Sequence, residues 1–266
     1  MTAKEDSMFE LPLIRFDNRA FLEKLKQGEL FMFSNLHYQS MEGEDETRGD
    51  YFDGSIPLSS IKQAEISLIG RVLRHPRMMT LGVFIKCFTE CSVNDFVKLN
   101  DRLWLLSFSE ETKNAIRGFN VDSALIIGSP NKFLKQVRTE AEKKNKSFCA
   151  GSVEYLTDEE LCRVERGILS GQFRNVSLIK RDAYKDQKEY RICIRHRPEG
   201  VSFEDKIQDI PKGITDLPYT MSIGEIQDAY IVPIETILSE GIIIDIETGD
   251  YLIRDDENRK DSEVAQ

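Results

Sequence analysis

Residues 185–194, Lys-Asp-Gln-Lys-Glu-Tyr-Arg-Ile-Cys-Ile, alternate polar and apolar side chains through their second half. A period of two marks a half-buried strand, so Gln187, Glu189 and Arg191 are expected on one face and Tyr190, Ile192 and Ile194 on the other. The apolar face anchors the strand to a core. A Gln and a Glu two residues apart then project the same way from a rigid element, an arrangement able to hold an amide and a carboxylate over a shared ligand. The plainer alternative is a solvated strand face on which Glu189 pairs with Arg191.

The remaining chain supplies short strands separated by helices. Leu11–Phe16 reads as a strand, Asp17-Asn18 as the N-cap of a helix over 19–27, and Gly28 as its end. Leu30-Phe-Met-Phe-Ser34 is strand-like, and Asn35 opens a turn-prone segment. Residues 42–54 are acidic, hold three glycines and lack a helical period, so they read as a long loop carrying Tyr51 and Phe52. A short strand is expected near Glu65–Leu68. Leu81–Phe88 is a strand, Val93–Leu99 a short helix or turn, and Leu103–Ser109 a buried strand because its apolar run is continuous. Ser109-Glu-Glu-Thr opens a helix, Ser123–Ile127 is a third buried strand, and 131–145 is an amphipathic helix. A strand at Ser152–Tyr155 and either a short strand or a helix end near Val176–Ile179 flank a helix over 159–169 opened by Thr157. Short strands near 219–224, 229–233 and 241–246 follow. The expected fold is α+β: a single domain over 11–254 with a twisted, mostly antiparallel mixed sheet and peripheral helices. Residues 1–10 are a flexible lead-in, 201–254 a candidate C-terminal subregion, and 255–266 a charged tail.

Composition narrows the partners. The formal net charge is −10 with a pI near 5.0, so the surface as a whole repels phosphate backbones. A nucleic-acid partner needs a local basic groove, and Arg71, Arg74 and Arg77, beside His75, are the candidates for it. No leader is expected in the polar, acidic N-terminal residues, and no apolar run approaches the roughly 20 residues that cross a bilayer, so no membrane partner and a cytoplasmic location are expected. The five cysteines, Cys87, Cys91, Cys149, Cys162 and Cys193, are expected as reduced thiols. With only three histidines and no second cysteine pair at ligand spacing, no metal site is expected.

The helix over 21–28, the 30–36 strand, the acidic loop with Gly49-Asp-Tyr-Phe-Asp-Gly54, the 103–109 strand and Lys185-Asp-Gln-Lys-Glu-Tyr-Arg191 together resemble a family of uncharacterised bacterial and phage proteins over roughly residues 15–195. The same layout is similar to the mono-ADP-ribosyltransferases of the Gln-x-Glu type. In those, an early strand offers an Arg or His, the next a Ser or Tyr, and a late strand the catalytic Glu. The resemblance implies an ADP-ribosyltransferase-like fold, NAD as the substrate cofactor, and catalytic roles for Glu189 and Gln187. It implies that Arg15, Phe33, Ser34, Asn35, Tyr38 and Tyr51 bind the cofactor. Arg15 would pair with the diphosphate, Ser34 would order its strand end, and an aromatic ring would stack on nicotinamide. The chain departs from the Arg-Ser-Glu pattern in having Ser34 alone where a Ser-Thr-Ser triplet is usual, in the short spacing of Arg15 from Ser34, and in the long gap to Glu189. The implied function is transfer of ADP-ribose to a protein or nucleic acid, as a toxin or antiphage effector with a protein inhibitor. Two alternatives stand beside it: a non-enzymatic phage or defence module that binds a protein through loop 42–54, and a metal-dependent nuclease using Asp50, Asp53 and Glu189.

Overall fold

The computed structural model describes residues 10–34, 37–38, 55–57, 78–80, 83–161, 163, 176–195 and 218–252. In chain order its elements are β1 (Leu13–Asp17), α1 (Arg19–Lys26), β2 (Glu29–Ser34), β3 (Ser55–Pro57), β4 (Met78–Thr80), β5 (Val83–Glu90), β6 (Phe96–Lys98) and β7 (Leu103–Leu106). They continue with α2 (Glu110–Gly118), β8 (Ser123–Ile127), α3 (Pro130–Lys143), β9 (Ser147–Ser152), β10 (Glu154–Leu156), β11 (Ile179–Arg181) and β12 (Glu189–Arg195). The last are β13 (Tyr219–Ser222), β14 (Ala229–Pro233), β15 (Ile242–Asp245) and β16 (Tyr251–Leu252). The class is α+β, and every described strand pairing is antiparallel except β10 with β11.

An eight-stranded sheet is built around β5. Along one edge of β5, β12 pairs continuously from Glu189↔Thr89 to Arg195↔Val83, and β9 lies beyond β12. The other edge is shared. β1 holds only one end, through Leu13↔Glu90 and Ile14↔Thr89, while β2 holds the opposite end through Phe33↔Ile85 and Ser34↔Phe84. β1 and β2 therefore run parallel, joined by α1, and diverge around Lys86, Cys87 and Phe88, which have no strand partner on that edge among the described residues. The sheet forks there: β1 leads to β8 and β14, β2 leads to β13.

Apolar packing covers both faces. Leu22 and Leu25 of α1 and Phe133, Val137 and Ala141 of α3 close over Leu13, Met32, Phe88, Leu125 and Ile192. On the other face Ile14, Phe16, Ala124, Ile126 and Val232 meet Ile116 of α2 and the four-stranded sheet β16-β15-β7-β6 through Leu106, Ile242 and Ile244. That second layer explains a departure from expectation. Of β7 only Leu106 is fully buried, because the small sheet turns one face outward, so a continuous apolar run does not make a strand buried on both faces here. Residues 93–99 divide into a single 3-10 turn over Val93–Asp95, closed by a capping box with Ser92, followed by β6.

Local chemistry sets the element ends. Asn18 sits at the N-cap of α1 without a side-chain cap bond; Asp122 Oδ1 instead accepts from the Arg19 amide at 2.9 Å, so a partner from across the fold does the capping. Ser109 caps α2 by accepting from the Thr112 amide. Thr157 and Glu160 exchange capping bonds at the start of the next helix. Gly28 ends α1 with φ +96°, where an added Cβ would run into the backbone of Gly224.

Candidate functional site

A cavity of about 150 Å³ opens at the fork. β1 contributes Ile14, Arg15 and Phe16, β2 contributes Phe33, β5 contributes Cys87, Phe88 and Thr89, β11 contributes Lys180, the turn after it Gln187, and β12 Glu189. The register explains the meeting. Glu189 pairs with Thr89, and Thr89 pairs with Ile14, so Glu189 stands two strands, roughly 10 Å, from the residue next to Arg15. Residues 174 positions apart in sequence thus line one space.

Arg15 lies in the fork itself. One guanidinium nitrogen donates to the Cys87 carbonyl at 3.0 Å and another to Asp17 Oδ2 at 2.7 Å. Its Nε is buried without a hydrogen-bond partner, an orphaned donor at the cavity edge. Lys86, also at the fork, is buried too. Burial and the like charge of Arg15 pull its ammonium down to about 7, with Asp17 offsetting part of the effect.

Glu189 is 7% exposed and sits between two cations. Lys180 Nζ donates to one carboxylate oxygen at 2.5 Å and Arg191 Nε to the other at 2.8 Å. Burial pushes the carboxyl up, but the charges of Arg191 and Lys180 and their hydrogen bonds outweigh it and hold it down at about 2, so Glu189 is a carboxylate at neutral pH. Its backbone amide donates to the Tyr155 hydroxyl at 2.7 Å.

This geometry corrects the expected strand face. Gln187 is not on the strand: it ends a 3-10 turn over Asp182–Gln187, and Lys188 then takes a left-handed conformation, φ +47°, before β12 begins at Glu189. The polar face is not solvated either, since Gln187 and Glu189 are buried and Arg191 is fully so, donating also to the Ser177 carbonyl. Gln187 nevertheless stays beside Glu189, because Lys180 Nζ donates to its Oε1 at 3.0 Å and joins the two side chains.

Phe33 and His37 stack with ring centroids 4.1 Å apart and planes 12° apart, and Tyr38 stands edge-on to Phe33 at 6.1 Å. All three line the cavity. Ser34 does not: it is fully buried, and its hydroxyl accepts from the His37 amide at 3.3 Å, fixing the strand end that carries the rings. Asn35, Tyr51, loop 42–54 with Asp50 and Asp53, and Arg71, Arg74 and Arg77 lie outside the described residues.

Sequence reasoning missed Lys180, His37, Cys87, Thr89 and Phe119 as lining residues. His37 was within reach, being one of three histidines and next to Tyr38, but no motif marks Lys180; only the turn 182–187 folds it back onto Glu189. Among the described residues no group of three or more His, Cys, Asp or Glu is placed to hold a metal ion, and no helix is long and apolar enough to cross a membrane. No protein-family model, curated protein or solved structure matches the chain.

Proposed function

We propose that the fork cavity binds NAD and that the protein transfers ADP-ribose from it to a macromolecule. The observation that carries this reading is the convergence of Arg15, Phe33, Tyr38, Gln187 and Glu189 on one cavity from three separate parts of the chain. Its volume of about 150 Å³ accommodates one six-membered aromatic ring, the size of nicotinamide, against the Phe33–His37 stack. Arg15 lines the cavity with a guanidinium, the group that pairs best with phosphate oxygens.

In the reaction the ribose–nicotinamide C–N bond breaks, nicotinamide leaves with the electron pair, and the acceptor's nucleophilic atom bonds to the ribose carbon and releases a proton. Positive charge develops on the ribose as the bond breaks. A carboxylate that stays ionised down to pH values near 2 supports that charge electrostatically and does not act as an acid, which is the role the surroundings of Glu189 suit. Lys180, bonded to both Glu189 and Gln187, holds the carboxylate and the amide in fixed relation.

The test is transfer of label from adenine-labelled NAD to cell lysate, followed by separate protease and nuclease digestion. Wild type should label a macromolecule, and Glu189→Gln should not. Tyr38→Ala, a milder change at the cavity wall, should weaken labelling without unfolding the chain. No label with wild type, together with no thermal shift on adding NAD, would overturn the reading.

One observation favours a second reading. Both oxygens of Glu189 are already engaged by cations, as in a purely structural ion cluster, and a partner-binding module without catalysis would need nothing more. On that reading NAD neither labels nor stabilises, and Tyr38→Ala affects partner capture alone.

A further inference from the structure

Helix α3 and the turn after it carry Lys132, Lys135, Arg138, Lys143, Lys144 and Lys146 against Glu140 and Glu142, within a chain of net charge −10. Lys132 and Lys143 are tied to Asp228 at 3.1 Å and Glu140 at 2.6 Å. Arg138 and Lys146 each stand over an aromatic ring. The Arg138 guanidinium carbon stands 5.2 Å from the Phe148 ring centre, and Lys146 Nζ stands 5.0 Å from that of Tyr219.

Those rings form a row across one end of the sheet. Phe148 pairs with Ile194, Ile194 pairs with Phe84, and the Tyr219 ring lies 5.1 Å from Phe84. Phe84, Phe148 and Tyr219 are only partly buried, so the row reaches the surface. Burial first, and the like charge of Lys144 second, depress the Lys146 ammonium below its ordinary value.

A cation laid over a ring has already given up part of its rotamer freedom, so less ordering remains when it meets a phosphate. Cations interleaved with rings match the alternation of phosphates and bases along a single strand. A duplex hides its base faces in the stack and would leave the rings idle. We infer that this end of the sheet binds single-stranded nucleic acid, with Arg138, Lys144 and Lys146 on phosphates and the Phe148–Phe84–Tyr219 row against bases. None of these six residues lines the fork cavity, so the inference is independent of NAD chemistry.

The test is fluorescence anisotropy of the full chain with a fluorescein-labelled single-stranded deoxyoligonucleotide of roughly 20 nucleotides, longer than the ~4–16 that one small domain typically covers. Binding should weaken with salt with a log–log slope of about −2, as expected for three phosphates released from a single strand. Arg138→Ala combined with Lys146→Ala should weaken binding by about tenfold or more, and Tyr219→Leu should weaken it while keeping the apolar packing. The double change Lys132→Ala with Lys143→Ala, at cations already paired with carboxylates, should change it less than about twofold. Thermal scans establish that each variant is folded. Absence of binding by wild type at low salt, equal losses in both double variants, equal affinity for a duplex of the same length, or stronger binding to phosphatidylserine vesicles would each overturn the inference.

Discussion

Glu189 and Lys86 are the two buried charges on which the fork turns, and their linkage to pH has opposite signs. Glu189 has its carboxyl lowered from 4.5 to about 2. The folded state therefore binds fewer protons than the unfolded chain between those values. The stability this contributes, on the order of 3 kcal/mol at about 1.4 kcal/mol per pH unit, is complete above about pH 5 and disappears as pH falls through about 2. Removing the carboxylate alone, by Glu189→Gln, strands Lys180 and Arg191 as buried cations and should destabilise the protein by about 3–5 kcal/mol at pH 7. Adding Lys180→Met to that change restores the charge balance and should recover much of the loss in a urea titration, yet leave ADP-ribose transfer absent. Recovery of transfer in the double variant would remove Glu189 from the chemistry. Lys86 runs the other way. Its ammonium is lowered from 10.5 to about 7, chiefly by burial, so the folded state holds fewer protons across that window and stability rises with pH through it by up to about 1.4 kcal/mol per unit. Below about pH 7 the amine is charged in both states and the burial penalty is fully present. Lys86→Met should raise the melting temperature at pH 6 and flatten the stability profile between pH 7 and 10; an unchanged profile would show that the amine is solvated.

At the scale of elements, α1 is the hinge piece of the fork, since it carries the chain from β1 to β2. Its C-terminus is fastened to the turn after β13: the Ile223 amide donates to the Gly28 carbonyl, and the Ile226 amide to the Lys26 carbonyl, both at 2.9 Å. Gly28 is tied there by both its φ of +96° and its contact with Gly224. Gly249 shares the positive φ, +77°, but has open space where a Cβ would go. Gly249→Ala should therefore lose only about 1–2 kcal/mol from backbone conformation, whereas Gly28→Ala should lose distinctly more; equal losses in chemical denaturation would mean that the Gly28–Gly224 approach relaxes freely. Elements of this kind were legible in the sequence. β1, α1, β2, β5, β8 and α3 each carry an apolar pattern between recognisable stops, α2 is announced by its Ser109-Glu-Glu-Thr opening, and Gly28 announces its own turn. Gln187 was misread because the alternation through 187, 189 and 191 continues in the text while the backbone breaks at Lys188, and lysine gives no hint of a left-handed residue. The burial of Arg191 was illegible for a related reason: its guanidinium donates to the Glu189 carboxylate and to the Ser177 backbone carbonyl, and the second pairing depends on the fold.

For the whole molecule, the fork means that two arms of sheet depend on one strand. Among the described strands, β14-β8-β1 and β13-β2 are hydrogen-bonded into one sheet through β5, which also carries β12 and β9 on its other edge. The small sheet is bound into the same structure, since Leu106, Ile242 and Ile244 share a core with Ile14 and Ile126. An arrangement with one shared strand and interlocking cores predicts that the arms unfold together, although the sequence shows only a succession of strands and nothing of which strand is shared. Trp104, the single tryptophan, lies in β7 and reports on the small sheet, while far-ultraviolet circular dichroism reports on the backbone throughout. Ile85 of β5 is fully buried next to Cys193, Cys87 and Leu178, in a different cluster from the core on which Trp104 packs. Ile85→Ala should remove about 2–5 kcal/mol, and it should move the fluorescence and dichroism midpoints in urea by the same amount along superimposable curves. A variant in which the dichroism curve moves and splits while the Trp104 transition stays put would show that the small sheet stands independently, and would confine the fork, with its cavity, to a separate unit of stability.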